Sequence, residues 1–344
     1  MSSKKVTFSD IADYTHFSKT TISRYFNNPE YLTPENRKII KDALKALNYQ
    51  ENKIGRILAK GETELIGLIM PPMYMPYYSD VFQSILNQYT DFGYKFIVLS
   101  GDSNKSREEN YIRELLSYNI EGLIILSHTL PSSDLAALGV PVVTIEREDQ
   151  FISSVNSDNL MGGIQAASLL YRNQCDAYFF IDIPVYPETP AYNRLVGFQT
   201  VCRDKNLPNE LYIQELGSGI ENNYQNIGRI IDAIEMRHSD QKVGIFCAND
   251  TFAVLVEKYY FQRYHILGRH YCLVGYDNSS IATEAIVPFS SVGQQTDVIA
   301  RETMEMLIGQ IKKRRKDPEC PLPVEHKVVT PILQRRDIPL PEIY

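Results

Sequence analysis

Apolar positions in the first fifty residues recur at helical spacing. Ile11 pairs with Tyr14, Ile22 with Phe26, and Ile39, Ile40, Ala43, Leu44 and Leu47 form a longer stripe. A capping residue precedes each set. Thr7 is followed three residues on by Asp10, a variant of the capping box; Ser18 stands before Lys19 to about Phe26; Thr33 stands before Pro34, which suits a first helical position. Three short helices are therefore predicted. From residue 65 the period changes. Short β-rich runs appear at LIGLIM (65–70), KFIVLS (95–100), GLIIL (122–126), VPVVTI (140–145), AYFFI (177–181), VGIFCA (243–248) and YCLVGY (271–276), mostly separated by helix-length segments. That alternation predicts parallel sheets built from βαβ units, and roughly 280 residues suit two doubly wound lobes.

Only a few residues around Thr15-His16-Phe17 separate the first two helices, which is helix-turn-helix spacing. In that arrangement the second helix enters the major groove of DNA with its N-terminal side chains at the base edges. Here Lys19, Thr20 and Arg24 can donate to bases, while Ser18, Thr21, Ser23 and Asn27 can reach phosphates. The next segment, NKIGRILAK (52–60), is basic, places Ile54 and Leu58 one turn apart and ends at Gly61. A helix this short is marginal alone in water. Ordering on DNA, with Leu58 wedged into the minor groove, would explain its composition.

Charge supports this division. Residues 1–61 hold 11 Lys/Arg against 6 Asp/Glu, whereas the remainder holds 24 against 36. A basic head on an acidic body suits a head that meets phosphate and a body that does not. The chain begins MSSKKVTFSD, polar rather than secretory, and contains no apolar run of about 18 residues, so a cytoplasmic, membrane-free protein is expected. Its five cysteines show no CxxC spacing, its six histidines form no HxxxH pair, SGDSN (100–104) lacks the glycines and lysine of a phosphate loop, and no nucleophile–base motif is present. An enzyme, a metal centre and a cofactor are all disfavoured. The basic run Lys312–Lys316 follows an apparent helix (296–311), where cations complement the helix dipole better than they predict a second nucleic-acid site.

The stretch VTFSDIADYTHFSKTTISRYFNNPEYLTPENRKIIKDALKALNY resembles the DNA-binding head of LacI/GalR regulators, and NKIGRILAK resembles their hinge helix. The resemblance implies a head over 1–51, a hinge and linker over 52–64, and a two-lobed, periplasmic-binding-protein-like effector and dimerisation domain over 65–344. It places Thr7, Ser18, Lys19, Thr20, Thr21, Ser23, Arg24 and Asn27 of the head, with Asn52, Lys53, Gly55 and Leu58 of the hinge, against a palindromic operator. Two positions depart from the family pattern. His16 stands where the family has a turn glycine, and Gly55 replaces a hinge alanine at up to about 1 kcal/mol of helix propensity.

In the body, polar residues stand where predicted strands end: MPYY (75–78), His128, Glu146-Arg147, SDNLMGG (157–163), Asn249-Asp250 and Asp277. Carboxylates, amides and Arg recognise vicinal hydroxyls, and aromatic rings cover a sugar's C–H face. The ordered set SDN…RLVGF…AND…GYD…Q resembles the family body. It implies that Arg194, Asn249, Asp277 and Gln294 line a saccharide cleft, with Tyr77, His128 and Arg147 contributing from the first lobe. Asp158, Asn159 and Asn249 also read as helix caps, and Tyr77 and Tyr78 as core aromatics. A homodimer is expected, because the C-terminal IPLPEIY carries no heptads for a tetramer zipper. Two alternatives stay open: a global catabolite regulator controlled by a phosphocarrier protein, and a cytosolic sugar-binding or sugar-processing protein with a three-helix appendage.

Overall fold

The computed structural model describes residues 6–49, 62–73, 75–101, 104–217, 219–265 and 271–336. Expectations for hinge residues Asn52, Lys53, Gly55 and Leu58, and for the C-terminal tail, lie outside these residues. The chain divides into two compact units, Met1–Glu62 and Thr63–Tyr344.

The first unit holds α1 (Phe8–Thr15), α2 (Lys19–Asn27) and α3 (Pro34–Ala46). All three predicted caps form. Thr7 and Asp10 make the reciprocal capping box, Ser18 Oγ accepts from Thr21 N at 3.1 Å, and Thr33 Oγ1 accepts from Asn36 N at 3.3 Å. Ile11, Ala12, Ile22, Leu32 and Ile40 close the core, against which Phe8 and Phe26 stack at 5.1 Å. Ile39, predicted for the apolar stripe, instead faces solvent at 47% exposure, because Ile40 and Ala43 already fill that face of α3. His16 occupies the left-handed region at φ 58, ψ 23. Histidine tolerates this conformation better than a β-branched residue, whose side chain crowds the backbone there. His16→Val is expected to lower head stability by about 1–2 kcal/mol, read as roughly 5- to 30-fold faster amide exchange in α1 and α2 of the full chain.

The second unit contains β1 (Leu65–Met70), α4 (Pro76–Asn87), β2 (Lys95–Ser100), α5 (Lys105–Ser117), β3 (Gly122–Ile125), β4 (Val142–Ile145), β5 (Ser153–Ser157), α6 (Asn159–Arg172), β6 (Ala177–Asp182), α7 (Asn193–Asp204) and β7 (Asn209–Ile213). It continues through α8 (Ile220–His238), β8 (Val243–Cys247), α9 (Asp250–Tyr259), β9 (Tyr271–Asp277), β10 (Ser290–Gly293), α10 (Thr296–Lys316), β11 (His326–Val329) and β12 (Ile332–Gln334). Two six-stranded sheets result, ordered β11-β5-β4-β3-β1-β2 and β12-β10-β9-β8-β6-β7. Among the described residues every pairing is parallel except β10 with β12. The chain passes from one lobe to the other at 157–159, 293–296 and 330–331.

The basic run Lys312–Lys316 lies inside α10 rather than after it. Lys and Arg are good helix formers, and the C-terminal dipole favours them there. Three of these residues also have partners: Arg315 donates to Glu121 at 2.6 Å, Arg314 donates to the Pro318 carbonyl, and Lys313 lies 3.9 Å from Glu325.

Candidate functional site

The carboxyl ends of both sheets converge on one buried polar cluster, the position where open α/β sheets bind ligands. Tyr77 enters from the first turn of α4 after β1, Glu146 from the end of β4, and Ser157 and Asn159 from the first crossover. Opposite them stand Asp182 at the end of β6, Arg194 in the first turn of α7, Asp277 at the end of β9, and Gln294 in the second crossover.

Arg194 is the hub. It is 9% exposed, its guanidinium lies 3.8 Å from the Tyr276 ring centre, Nε donates to Asn159 Oδ1 at 2.7 Å, and Nη1 donates to the Ala248 carbonyl at 2.7 Å. Glu146 accepts from Ser157 N at 2.5 Å and from Asn159 Nδ2 at 2.9 Å. Gln294 links the lobes, accepting from Ser157 Oγ and donating to Asp277 Oδ1, each at 2.7 Å. Tyr77 is 8% exposed, and its hydroxyl has no partner among the described residues. Asp277 adopts φ 104 and Glu146 φ 56, two positive-φ residues at the ends of site strands. Asp250 holds the loop beneath Asp277. Its carboxylate accepts from Ser279 N (2.7 Å), Ser279 Oγ (3.0 Å) and Ser291 Oγ (2.6 Å).

Burial dominates the electrostatics. It pushes Asp277 up to about 8 against the opposing pull of Arg194, Asp182 up to about 7 and Asp250 up to about 6; Glu146 is raised for the same reason. These carboxyls hold protons in the folded chain at pH values where unfolded Asp, near 3.9, has lost them. The native state therefore binds more protons between about pH 4 and 8, so stability falls as pH rises through that window. Thermal unfolding of the ligand-free chain is expected to move to lower temperature from pH 5 to 8, and Asp277→Asn to flatten that slope.

The other sequence-selected residues are placed differently. Arg147 points away from the cluster, donating to the Ser127 carbonyl at 3.2 Å and the Leu130 carbonyl at 2.5 Å, while its neighbour Glu146 faces inward. A positive φ at Glu146 turns the backbone, so consecutive side chains diverge. His128 is exposed; surrounding chain and the Arg147 charge hold its imidazole near 4, hence neutral at pH 7. Asn249 Oδ1 caps α9, accepting from Phe252 N at 2.8 Å, and Asp158 caps α6. Glu146, Asn159, Asp182 and Tyr276 join the cluster without having been chosen as site residues. Asp182 carried a readable signal, since it is the first polar residue after an apolar strand run, as Asp277 is.

Among the described residues, two cavities flank the cluster. One, of about 420 Å³, is lined by Asp80, Gln83 and Ser84 of α4, by Asp277 and Asn278, by the crossover Gly293–Asp297, and by Ile332 and Gln334. The other, of about 290 Å³, lies between Glu148, the stretch Asn156–Leu160 and Val328 on one side and Pro187–Pro190 with Asn193 on the other.

In the head, Lys19, Thr20 and Arg24 are exposed on α2, as are Thr7, Ser18 and Asn27, while Thr21 and Ser23 are half-buried. The Ser18 hydroxyl lies 2.8 Å from Thr21 Oγ1, and Asn27 Nδ2 donates to Ser23 Oγ at 3.1 Å. No helix among the described residues is long and apolar enough to cross a membrane, and no metal-holding group of His, Cys, Asp or Glu occurs among them.

Comparison with known proteins adds two family matches. Residues 7–52 match the bacterial regulatory proteins of the lacI family, and residues 175–330 match the periplasmic binding protein-like domain. The sucrose operon repressor of Streptococcus mutans serotype c is 27% identical over 319 residues, covering 92% of this chain and 96% of that protein. The ribose operon repressor of Halalkalibacterium halodurans is 24% identical over 316 residues, covering 90% and 92%. A crystal structure of the Lac repressor dimer bound to operator and the anti-inducer ONPF superposes with TM-score 0.78 at 19% identity, covering 97% of this chain and 98% of that one.

Proposed function

Because the chain belongs to the LacI family of bacterial regulatory proteins, we propose that it is a DNA-binding repressor of carbohydrate-utilisation genes, dimeric, cytoplasmic and controlled by a saccharide held between its two lobes. One observation carries the effector half: a buried Arg194, stacked on Tyr276, stands among carboxylates contributed by strand ends of both lobes. Such a set donates to and accepts from vicinal hydroxyls, and a ring face covers a sugar's C–H surface. The names of the sucrose and ribose operon repressors agree with a saccharide.

The mechanism follows from placement. Glu146 and Tyr77 belong to one side of the cleft, Arg194 and Asp277 to the other, and Asn159 and Gln294 to the crossovers between them. A ligand touching both sides stabilises one relative orientation of the lobes. In a dimer that orientation sets the separation of the two heads, and hence whether both reach a palindromic operator together. In the head, Lys19, Thr20 and Arg24 read base edges, while the capping hydroxyls of Thr7 and Ser18 with Thr21, Ser23 and Asn27 meet the backbone. Asn52, Lys53, Gly55 and Leu58 supply the hinge contacts. Catalysis has no part in this reading, and no cofactor is required.

The test is a gel shift on the chain's own promoter region. Deleting residues 1–61 is expected to abolish binding. Arg24→Ala is expected to weaken it by about 1–3 kcal/mol, roughly 5- to 150-fold, and to relax preference at one base pair. Promoter binding indifferent to the deletion overturns the DNA-binding reading.

A further inference from the structure

The 290 Å³ cavity is separate from the Arg194 cluster yet shares its walls. Ser157 lines it and donates to Gln294, which lines the larger cavity, so one 2.7 Å hydrogen bond stands between the two spaces. Asn159 lines it and accepts from Arg194. Its surface comes from both lobes and is rich in hydroxyl-recognising groups, with Glu148, Asp158 and Glu188 as carboxylates and Asn156 and Asn193 as amides.

Two further observations point to an occupant. Asn156 is 2% exposed and spends Nδ2 on Glu148 (2.8 Å) and Ser154 (3.0 Å), while its Oδ1 has no partner among the described residues. A buried acceptor left unpaired costs about 1–3 kcal/mol, which a ligand hydroxyl would recover once the Asn156 amide turns toward the cavity. Beside the cavity, Tyr186 precedes Pro187 and is 80% exposed, a ring face open for stacking. Charge narrows the ligand class. No Lys or Arg is among the described residues lining either cavity, whereas Asp80, Asp297, Glu148, Asp158 and Glu188 are, together with Asp277, whose carboxyl burial keeps largely protonated at neutral pH. Arg194, the cation between them, is already engaged by Asn159 and Ala248. A phosphate ester would enter against repulsion that the single charge of Arg194, already balanced by the acids around it, does not offset.

We propose that the smaller cavity is a subsite for a further sugar unit, so that the cleft selects an uncharged saccharide of two or more units over a monosaccharide or a sugar phosphate. This rests on the saccharide reading of the Arg194 cluster. One unit sits at the cluster and the larger cavity. The next passes the Ser157–Gln294 contact, donates its hydroxyls to Asn156 Oδ1 and the Glu188 carboxylate, and exchanges hydrogen bonds with the Asn193 amide.

The experiment is calorimetry and thermal shift on the full chain with ribose, glucose, sucrose, cellobiose, glucose 6-phosphate and inorganic phosphate. A disaccharide is expected to bind at least about tenfold tighter than either monosaccharide, with no stabilisation by the two phosphates. Glu188→Ala and Asn193→Ala, both at exposed positions, are expected to cut the disaccharide-to-monosaccharide affinity ratio about tenfold. Equal or tighter monosaccharide binding, stabilisation by either phosphate, or an unchanged ratio in both variants overturns the subsite while leaving a sugar effector standing. Silence of all saccharides, with an amino acid or purine stabilising the chain in an Arg194-dependent way, removes the saccharide reading and the subsite with it.

Discussion

Arg194→Ala is expected to abolish the effector response while leaving operator affinity within about twofold of wild type. The guanidinium makes two 2.7 Å hydrogen bonds and a stacking contact, and it is the cation that offsets Glu146, Asp182 and Asp277. Its removal takes away the groups that grip a hydroxylated ligand. It also leaves buried acids facing one another, a loss of about 3–5 kcal/mol when one partner of a buried charge set is deleted. Effector affinity should fall by 100-fold or more. The acids already lie high, Asp277 at about 8 and Asp182 at about 7, so they meet the loss by taking up protons. The fold then survives at neutral pH. Arg194→Lys should behave nearly as badly, because a point charge cannot make the same two divergent donations while lying flat on Tyr276. Effector titrations of the repressor–operator complex by fluorescence anisotropy read both quantities. A normal response in Arg194→Ala would place the cleft elsewhere.

Gly163→Ala carries the second large effect, and it acts through backbone rather than chemistry. Helices α6 and α7 cross so closely that a Cβ at Gly163 would lie 2.2 Å from the Arg194 carbonyl oxygen, and one at Gly197 would lie 2.3 Å from that of Leu160. Neither obstacle is a flexible side chain, so the helices must separate. Overpacking of this kind costs about 1–3 kcal/mol, and at the upper end here, since two backbones must move. A loss of about 3 kcal/mol lowers the melting temperature of the body by roughly 6–12 °C. Arg194 lies at the contact itself, so effector affinity should fall further than stability alone requires. Differential scanning calorimetry with effector titration separates the two. A variant that melts like wild type would mean that the crossing is looser than its geometry.

Much of this was readable in the chain. Caps at Thr7, Ser18 and Thr33, the turn at His16 and every apolar strand run became the expected elements, because each depends on residues within one or two turns of itself. What escaped was polar or non-local. Strand β5, Ser153-Ser154-Val155-Asn156-Ser157, is wholly buried yet mostly hydrophilic, so no apolar period marks it. Partners distant in sequence satisfy it: Gln310 and Glu325 bond Ser153 Oγ, and Ser154 pairs with His326. Strands β10, β11 and β12 lack the apolar run that marks the similarly short β3 and β4, and they exist through pairing with neighbours.

The division at the site has the same origin. Local sequence determined that polar side chains would stand after apolar strands, because a strand that enters a core must surface at its end. Only the three-dimensional arrangement decided which of them face each other. At Glu146-Arg147 a left-handed backbone residue sent the acid into the cleft and the arginine to the Ser127 and Leu130 carbonyls, and at Asn249-Asp250 one residue became a helix cap and the other the support of the Asp277 loop. The direction of a side chain at a strand end is set by the backbone turn and by groups brought near from far along the chain, and neither is written in the residue itself.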